Sequence, residues 1–110
     1  MNELEIFCSD ISELKEFDSV NRGYRSDIFV KIGSNFFRLH VYDITRLKQD
    51  FDSEISIYGY FGIEPNIVLV SKVDLKHITK TIVNLYKQKY FEQIKPLPKE
   101  ELARYNLNRI

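Results

Sequence analysis

Alternating apolar and polar residues predict a β-hairpin in the centre of the chain. Between residues 27 and 42 the hydrophobicity repeats with a period of two, as in a strand with one buried face. The polar break Gly33-Ser34-Asn35 supplies the turn, and an even-length loop keeps both apolar rows on the same face. The two rows are Ile28, Val30 and Ile32 before the turn and Phe37, Leu39 and Val41 after it.

The opposite face of this hairpin is mixed in character. Its side chains are those of Asp27, Phe29, Lys31, Phe36, Arg38, His40 and Tyr42. Because several of them are aromatic, this face is too apolar to be wholly exposed, and we expect another part of the chain to cover some of it.

Two longer segments have apolar residues at the spacing of an amphipathic helix. Asp43 and Asp74 stand where these helices would begin, and a carboxylate there accepts hydrogen bonds from free backbone N–H groups. The first stripe is formed by Ile44, Leu47, Phe51 and Ile55, and the second by Leu75, Ile78, Ile82 and Leu85. We expect both stripes to face the hairpin in one core. The residues predicted to be buried there are Val30, Leu39, Phe51, Ile78 and Ile82.

The N-terminal part is predicted to form a strand, a short helix and a loop. Residues 4–8 indicate the strand, and Ser9 is placed to cap the helix. The apolar stripe of that helix is formed by Ile11, Leu14 and Phe17. No apolar period continues through residues 18–26, which indicates a loop.

Residues 67–70 are apolar on both sides, which is typical of a strand inside a sheet. Because this strand follows a helical crossover, we expect it to run parallel to one hairpin strand. The predicted fold class is α+β, in the order βαββαβα, with a three- or four-stranded mixed sheet and two main helices packed chiefly on one face. Residues 1–97 form the predicted domain. Residues 98–110 form a tail that is either a short helix or weakly ordered.

The composition is that of one small globular protein. The chain has 110 residues, of which 44% are hydrophobic and 29% charged. No stretch approaches the roughly 18 apolar residues of a membrane span, and residues 1–10 are acidic where a signal peptide would be basic. A single cysteine, Cys8, cannot form an internal disulfide, which favours a reducing compartment. We therefore expect a cytoplasmic protein without membrane association.

Charge is balanced overall but unevenly distributed. Sixteen basic residues match sixteen acidic ones, which argues against a nucleic-acid binder. Residues 1–71 contain 12 acids and 7 bases, whereas residues 72–110 contain 4 acids and 9 bases. This asymmetry indicates either internal compensation within the fold or an acidic face for a basic partner.

Candidate catalytic chemistry is sparse. His40 and His77 are the available histidine bases, and neither stands in a catalytic motif. Asp27 is a possible cross-strand neighbour of His40, which would make a histidine–carboxylate pair. One cysteine and two separated histidines do not have the spacing of a zinc site, and no glycine-rich phosphate loop is present. We expect no catalytic residues, no metal and no cofactor.

Several aromatic side chains are not obviously part of the core, and Tyr58, Tyr60 and Phe61 either pack over the end of the sheet or contact a partner. Tyrosine and phenylalanine interleaved with charge are favoured at protein interfaces, because they bury a large area at low entropic cost. The predicted partner-binding residues, on the outer face of the middle helix and the loop after it, are Asp50, Glu54, Tyr58, Tyr60, Phe61 and Glu64. The alternative surface is the hairpin face around Phe29, Arg38 and His40.

The centre of the chain resembles small immunity proteins of bacterial polymorphic-toxin and contact-dependent growth inhibition systems. The segments that carry the resemblance are SDIFVKIG (26–33), FRLHVY (37–42), RLKQDF (46–51), YGYF (58–61) and EPN (64–66). The resemblance implies that the chain binds and neutralises one cognate toxin domain, such as a nuclease, inside the producing cell. Two other classes stay open, an interaction adaptor unrelated to toxins and a small enzyme that would need a deep pocket around His40.

Overall fold

The computed structural model describes residues 3–110 and confirms the predicted α+β fold and its element order. The main elements are β1 (Leu4–Cys8), α1 (Glu13–Arg22), β2 (Tyr24–Ile32), β3 (Asn35–Tyr42), α2 (Ile44–Tyr58), β4 (Ile67–Leu69) and α3 (Leu75–Lys87). A short 3-10 helix (Tyr90–Glu92), α4 (Lys99–Leu102) and β5 (Asn108–Arg109) complete the described chain.

The sheet has five strands, where three or four were predicted, in the order β4-β3-β2-β1-β5. As predicted, β4 runs parallel to β3, with Val68 opposite Val41, and all other pairs are antiparallel. The prediction that β4 lies inside the sheet is wrong, because no strand of the described chain pairs with its outer edge. The fifth strand comes from the tail, where Asn108 and Arg109 pair with Cys8 and Phe7.

One face of the hairpin formed by β2 and β3 is the floor of the hydrophobic core. Ile28 pairs with Leu39 and Val30 with Phe37, so the two predicted apolar rows lie side by side and buried. Ile78 and Ile82 of α3 pack on them, together with Val73 and Phe91. Of the predicted core residues, Val30, Leu39, Ile78 and Ile82 are confirmed.

The prediction for Phe51 is wrong. Asp43 caps α2 as expected, accepting a hydrogen bond from the Arg46 amide at 2.8 Å, but no residue of α2 is fully buried and Phe51 is 46% exposed. The core face is already covered by α3, and α2 meets the opposite face of the sheet, where the Arg46 guanidinium lies 5.1 Å from the ring centre of Tyr24. The apolar stripe of α2 therefore points away from the core.

The tail covers the second face of the sheet, as the aromatic residues there require. The Leu97 amide donates to the carbonyl of Phe36 at 2.7 Å, which brings the chain across the edge of β3. The Tyr105 ring then packs 4.8 Å from the ring of Phe29, which is fully buried. Arg38 lies over both rings and donates to the Tyr105 hydroxyl at 2.7 Å. We call residues 95–110 the strap.

The start of the chain differs from its prediction. Ser12, and not Ser9, caps α1, and the helix continues to Arg22 through the segment predicted as a loop. Gly23 ends α1 with a φ of 67°, and a Cβ there would lie 2.5 Å from the Asp43 carboxylate, so only glycine fits without rearrangement. The stripe predicted for α1 is exposed, with Ile11, Leu14 and Phe17 all facing solvent.

The inner side of α1 meets a buried charged network. A bulge between Arg25 and Ile28 places Arg25 on the core face, where it is 1% exposed. Its Nε donates to Asp27 Oδ1 at 2.6 Å, its Nη2 donates to the Asp10 carbonyl, and its Nη1 lies 3.6 Å from Glu16 Oε1. The Glu16 carboxylate in turn accepts from the amide of Leu75, the first residue of α3. This network joins β1, α1, β2 and α3.

The different environments of Ile82 and Phe51 lead to a stability prediction. Ile82→Ala should lower the free energy of unfolding by about 2–5 kcal/mol, because it leaves a cavity between α3 and the hairpin. Phe51→Ala should cost markedly less, although phenylalanine is larger, since much of its ring is already in water. Chemical denaturation of both variants measures the difference. Equal losses would show that Phe51 belongs to the core.

Candidate functional site: the α2 groove and its aromatic loop

The loop after α2 folds back against the exposed stripe of that helix. Gly59 ends α2 in the left-handed conformation, with a φ of 80°, and reverses the chain. The Phe61 ring then packs edge-on against Phe51, with ring centres 6.3 Å apart. Helix and loop enclose an open hollow of about 190 Å³. Its lining, which we call the α2 groove, consists of Ile44, Leu47, Lys48, Phe51, Phe61 and Ile63.

The far end of the loop is tied to the rest of the fold. Tyr90 Oη donates to the carbonyl of Pro65 at 2.8 Å, and Asn66 Nδ2 donates to the carbonyl of Arg38 at 2.8 Å. These bonds anchor the loop to the segment after α3 and to β3. Because both ends of residues 59–66 are held, the groove is a defined feature of the folded chain.

The residues around the groove carry a net negative charge. Residues 43–66 contain five acidic and two basic side chains. The two cations are already paired within α2, Arg46 with Asp50 at 3.1 Å and Lys48 with Asp52 at 2.9 Å. Glu54 and Glu64 form no ion pair with any residue in the described range. Their charge is therefore left to attract a cation from outside the chain.

The six predicted partner-binding residues do not have equal access to solvent. Tyr58 and Tyr60 are exposed, Tyr60 by 68%, with their rings 6.4 Å apart, and Glu64 is exposed as well. Phe61 and Glu54 are half-buried. The structure therefore brings the aromatic residues of the prediction to the surface beside the groove.

Asp50 differs from the other predicted residues because it faces the sheet. Its carboxylate accepts a hydrogen bond from Arg46. It also lies close enough to Tyr42, on the second face of the sheet, to affect the pKa of that hydroxyl. Burial first, and then the neighbouring Tyr24 and the charge and hydrogen bonding of Asp50, raise the pKa of Tyr42 to about 12. Asp50 thus helps to hold α2 in place.

The prediction missed four residues of the groove, Ile44, Leu47, Phe51 and Ile63. The first three were assigned to the core, because their spacing is the same as that of the buried stripe in α3. One signal was present in the sequence. Ile57 lies off the stripe, so α2 has more apolar positions than one buried face needs. In the structure that side chain is 66% exposed.

The predicted pairing of His40 with Asp27 is wrong. The bulge in β2 turns Asp27 toward Arg25 and Ser9, whose hydroxyl donates to it at 2.9 Å. Burial by itself raises the pKa of Asp27, but Arg25 and Ser9 outweigh it and lower the pKa below its usual range. His40 instead has its Nδ1 3.4 Å from the Tyr24 hydroxyl.

The alternative surface on the hairpin is largely used by the fold itself. Phe29 is buried beneath Tyr105, and the guanidinium of Arg38 is held between their rings and the carbonyl of Ser26. Arg38 and His40 are both half-buried, and His40 has more freedom to contact a partner because the Arg38 guanidinium is already bound within the fold. Elsewhere, the Nδ1 of His77 lies 2.6 Å from the carboxylate of Asp74, which caps α3.

Residues 3–110 offer neither a metal site nor a membrane-spanning helix. Within that range no three His, Cys, Asp or Glu side chains are grouped as ligands for a metal ion. No helix in it combines the length and the apolar character needed to cross a membrane. Cys8 is fully buried, and burial raises the pKa of its thiol.

The surroundings of His40 predict a pH dependence of stability. Burial and the charge of Arg38 lower the pKa of His40, against an opposing effect of Glu64. The unfolded chain therefore binds a proton at a higher pH than the folded chain, and stability should fall as pH drops below the unfolded pKa of about 6.5. Urea unfolding at several pH values measures this, and the fall should be smaller in His40→Gln. Identical profiles for the two proteins would contradict the assignment.

Comparison with protein-family models, with curated proteins and with solved structures finds no match to this chain. Its function must therefore be inferred from its own surface. The feature of that surface with the clearest chemistry is the α2 groove together with Tyr58, Tyr60, Glu54 and Glu64.

Proposed function

We propose that this chain is a cytoplasmic protein-binding module, an immunity protein that holds and neutralises a toxin domain through the α2 groove and the aromatic loop. One observation carries the proposal: α2 is a long amphipathic helix whose apolar stripe is left outside the core. The resemblance of segments 26–33, 37–42, 46–51, 58–61 and 64–66 to small immunity proteins supports the same function.

The exposure of these apolar groups is the first support. Ile44, Tyr58, Tyr60 and Ile63 lie on one helix and the loop that follows it, and each is exposed over well above half of its surface. A patch of neighbouring apolar side chains is costly in water and marks a binding surface more often than scattered single residues do. Tyrosines at its margin add hydrogen-bonding capacity, as is common at protein interfaces.

The charge of the site supports a basic partner. Within residues 3–110 neither Glu54 nor Glu64 has a cationic partner, and the surrounding segment has an acidic excess. A nuclease domain must attract phosphate groups and is positively charged at its own site. An acidic surface would speed its encounter with this chain, and buried aromatic or aliphatic groups would then slow its dissociation.

The free thiol of Cys8 supports a cytoplasmic location. It is the one cysteine of the sequence and is buried against Ile28 and other core residues, where a reducing compartment keeps it unmodified. No catalytic step is part of the proposal, because a protein of this kind acts by occupying its partner.

Binding kinetics against the toxin domain encoded by the adjacent gene test the proposal. Tyr60→Ala should increase the dissociation rate, with a cost of about 2 kcal/mol or more if its ring is buried in the complex. Glu54→Lys combined with Glu64→Lys should instead slow association and reduce its dependence on salt. The two changes separate the role of the ring from the role of the charges.

Matched controls come from surfaces outside the site. Leu14→Ala removes a side chain on α1 that is 77% exposed, and Glu100→Lys reverses a charge on α4. Neither should alter the rates beyond a small factor. The proposal is contradicted if the adjacent gene's product does not bind, or if the controls weaken binding as much as the site variants do.

A further inference from the structure

The α2 groove has the dimensions of one side chain. Its volume is about 190 Å³, and its walls are the side chains of Ile44, Leu47, Phe51, Phe61 and Ile63, with Lys48 at the margin. An apolar cavity of about 150 Å³ is large enough to hold benzene. A leucine, methionine or phenylalanine side chain would therefore fit, whereas a whole helix face would not.

The walls of the groove exclude polar occupants. The five enclosing side chains are aliphatic or aromatic, and Lys48 directs its ammonium group to Asp52 at 2.9 Å. A charged or amide side chain placed between Leu47 and Phe61 would lose its hydrogen bonds to water without replacement. The lining of the groove therefore favours an apolar occupant.

The charges near the groove define what surrounds that apolar group. Glu54 lies one turn after Phe51 on α2, and Glu64 follows Ile63 in the loop. Neither has a cationic partner among residues 3–110. A segment bearing lysine or arginine beside its apolar residue would place opposite charges together, whereas an acidic segment would be repelled.

A second copy of this chain is a poorer occupant. A symmetric dimer through the groove would bring the same acidic surface to both sides, with Glu54 and Glu64 of each copy near their counterparts. Like charges at an interface cost free energy, which disfavours that pairing.

We infer that the α2 groove receives one bulky apolar side chain of the partner, flanked in the partner by lysine or arginine. This rests on the proposed function, because it names the recognised element at the same site. The apolar side chain fills the hollow between Leu47 and Phe61, and the flanking cations meet Glu54 and Glu64. The chain then recognises its partner through a short segment of the partner's sequence.

Selection from a displayed library of random short peptides, with the full chain as target, tests the inference. The enriched peptides should share one leucine, methionine or aromatic residue next to lysine or arginine. Their affinity, measured by fluorescence polarisation, should fall about tenfold or more for Phe51→Ala, which removes a wall of the groove. Ile57→Ala should leave the affinity unchanged, since that side chain lies on the same helix outside the groove.

Substitutions of Ile63 separate apolar contact from charge. Ile63→Glu and Ile63→Lys both remove a wall of the groove, and both side chains project from an exposed loop position that tolerates change. Both should weaken the selected peptides, and the lysine variant should weaken them more because it also repels the flanking cations. Circular dichroism checks that each variant is folded.

The inference would be overturned if the enriched peptides were acidic or wholly polar. It would also be overturned if they bound the Phe51→Ala variant as tightly as the original chain. A third contradicting result is self-association of the free chain that Ile63→Lys abolishes. The last would mean that a second copy occupies the groove. The toxin assignment is judged separately. Neutralisation that survives Phe51→Ala would exclude the groove as the binding site but leave the immunity function. Groove-dependent peptides that do not compete with the adjacent gene's product would instead exclude that product as the partner of the groove.

Discussion

The packing of α3 against the apolar face of the β2–β3 hairpin constrains the positions of the other elements. Ile78 and Ile82, with Val73 and Phe91, bury the rows that contain Ile28 and Leu39. α1 lies beside α3 on the same face, where its Glu16 reaches Arg25 and the start of α3, so this face is not available to α2. The strap takes part of the opposite face through Tyr105, and α2 meets that face through Arg46, which lies over Tyr24, and through Asp50 beside Tyr42. The exposed stripe of α2 follows from this order of packing.

A second constraint comes from the buried charge of Arg25. A buried guanidinium must be paired and hydrogen-bonded, and losing one partner costs far more than a surface ion pair does. Asp27 and the Asp10 carbonyl accept hydrogen bonds from Nε and Nη2 of Arg25. Its Nη1 has no hydrogen-bond partner among the described residues and is compensated by the charge of Glu16 at 3.6 Å, and Glu16 also accepts from the Leu75 amide at the start of α3. The polar side of α1 is thereby turned inward, and its apolar residues, including Leu14, are left at the surface.

Local pattern was sufficient to predict much of this fold. The period of two predicted the hairpin, and Asp43 and Asp74 predicted two helix starts. Local pattern left open whether Tyr60 packs over the end of the sheet or contacts a partner, and its ring is exposed. The exposure of the α2 stripe could not be predicted, because the spacing of Ile44, Leu47 and Phe51 is equally compatible with a buried face. Which helix covers the core face depends on competition between α2 and α3. Long-range contacts could not be predicted from local pattern either, since Arg38 and Tyr105 are 67 residues apart in sequence.

Hydrogen exchange of the backbone amides, with and without the bound toxin domain, tests the central claim most directly. Binding through the groove should slow exchange in residues 44–63 and leave the strap, residues 95–110, at its rate in the free protein. The contrast is informative because the two segments meet different parts of the same sheet face. Slowed exchange confined to the strap or to α1, with residues 44–63 unchanged, would contradict the account and place the binding surface elsewhere.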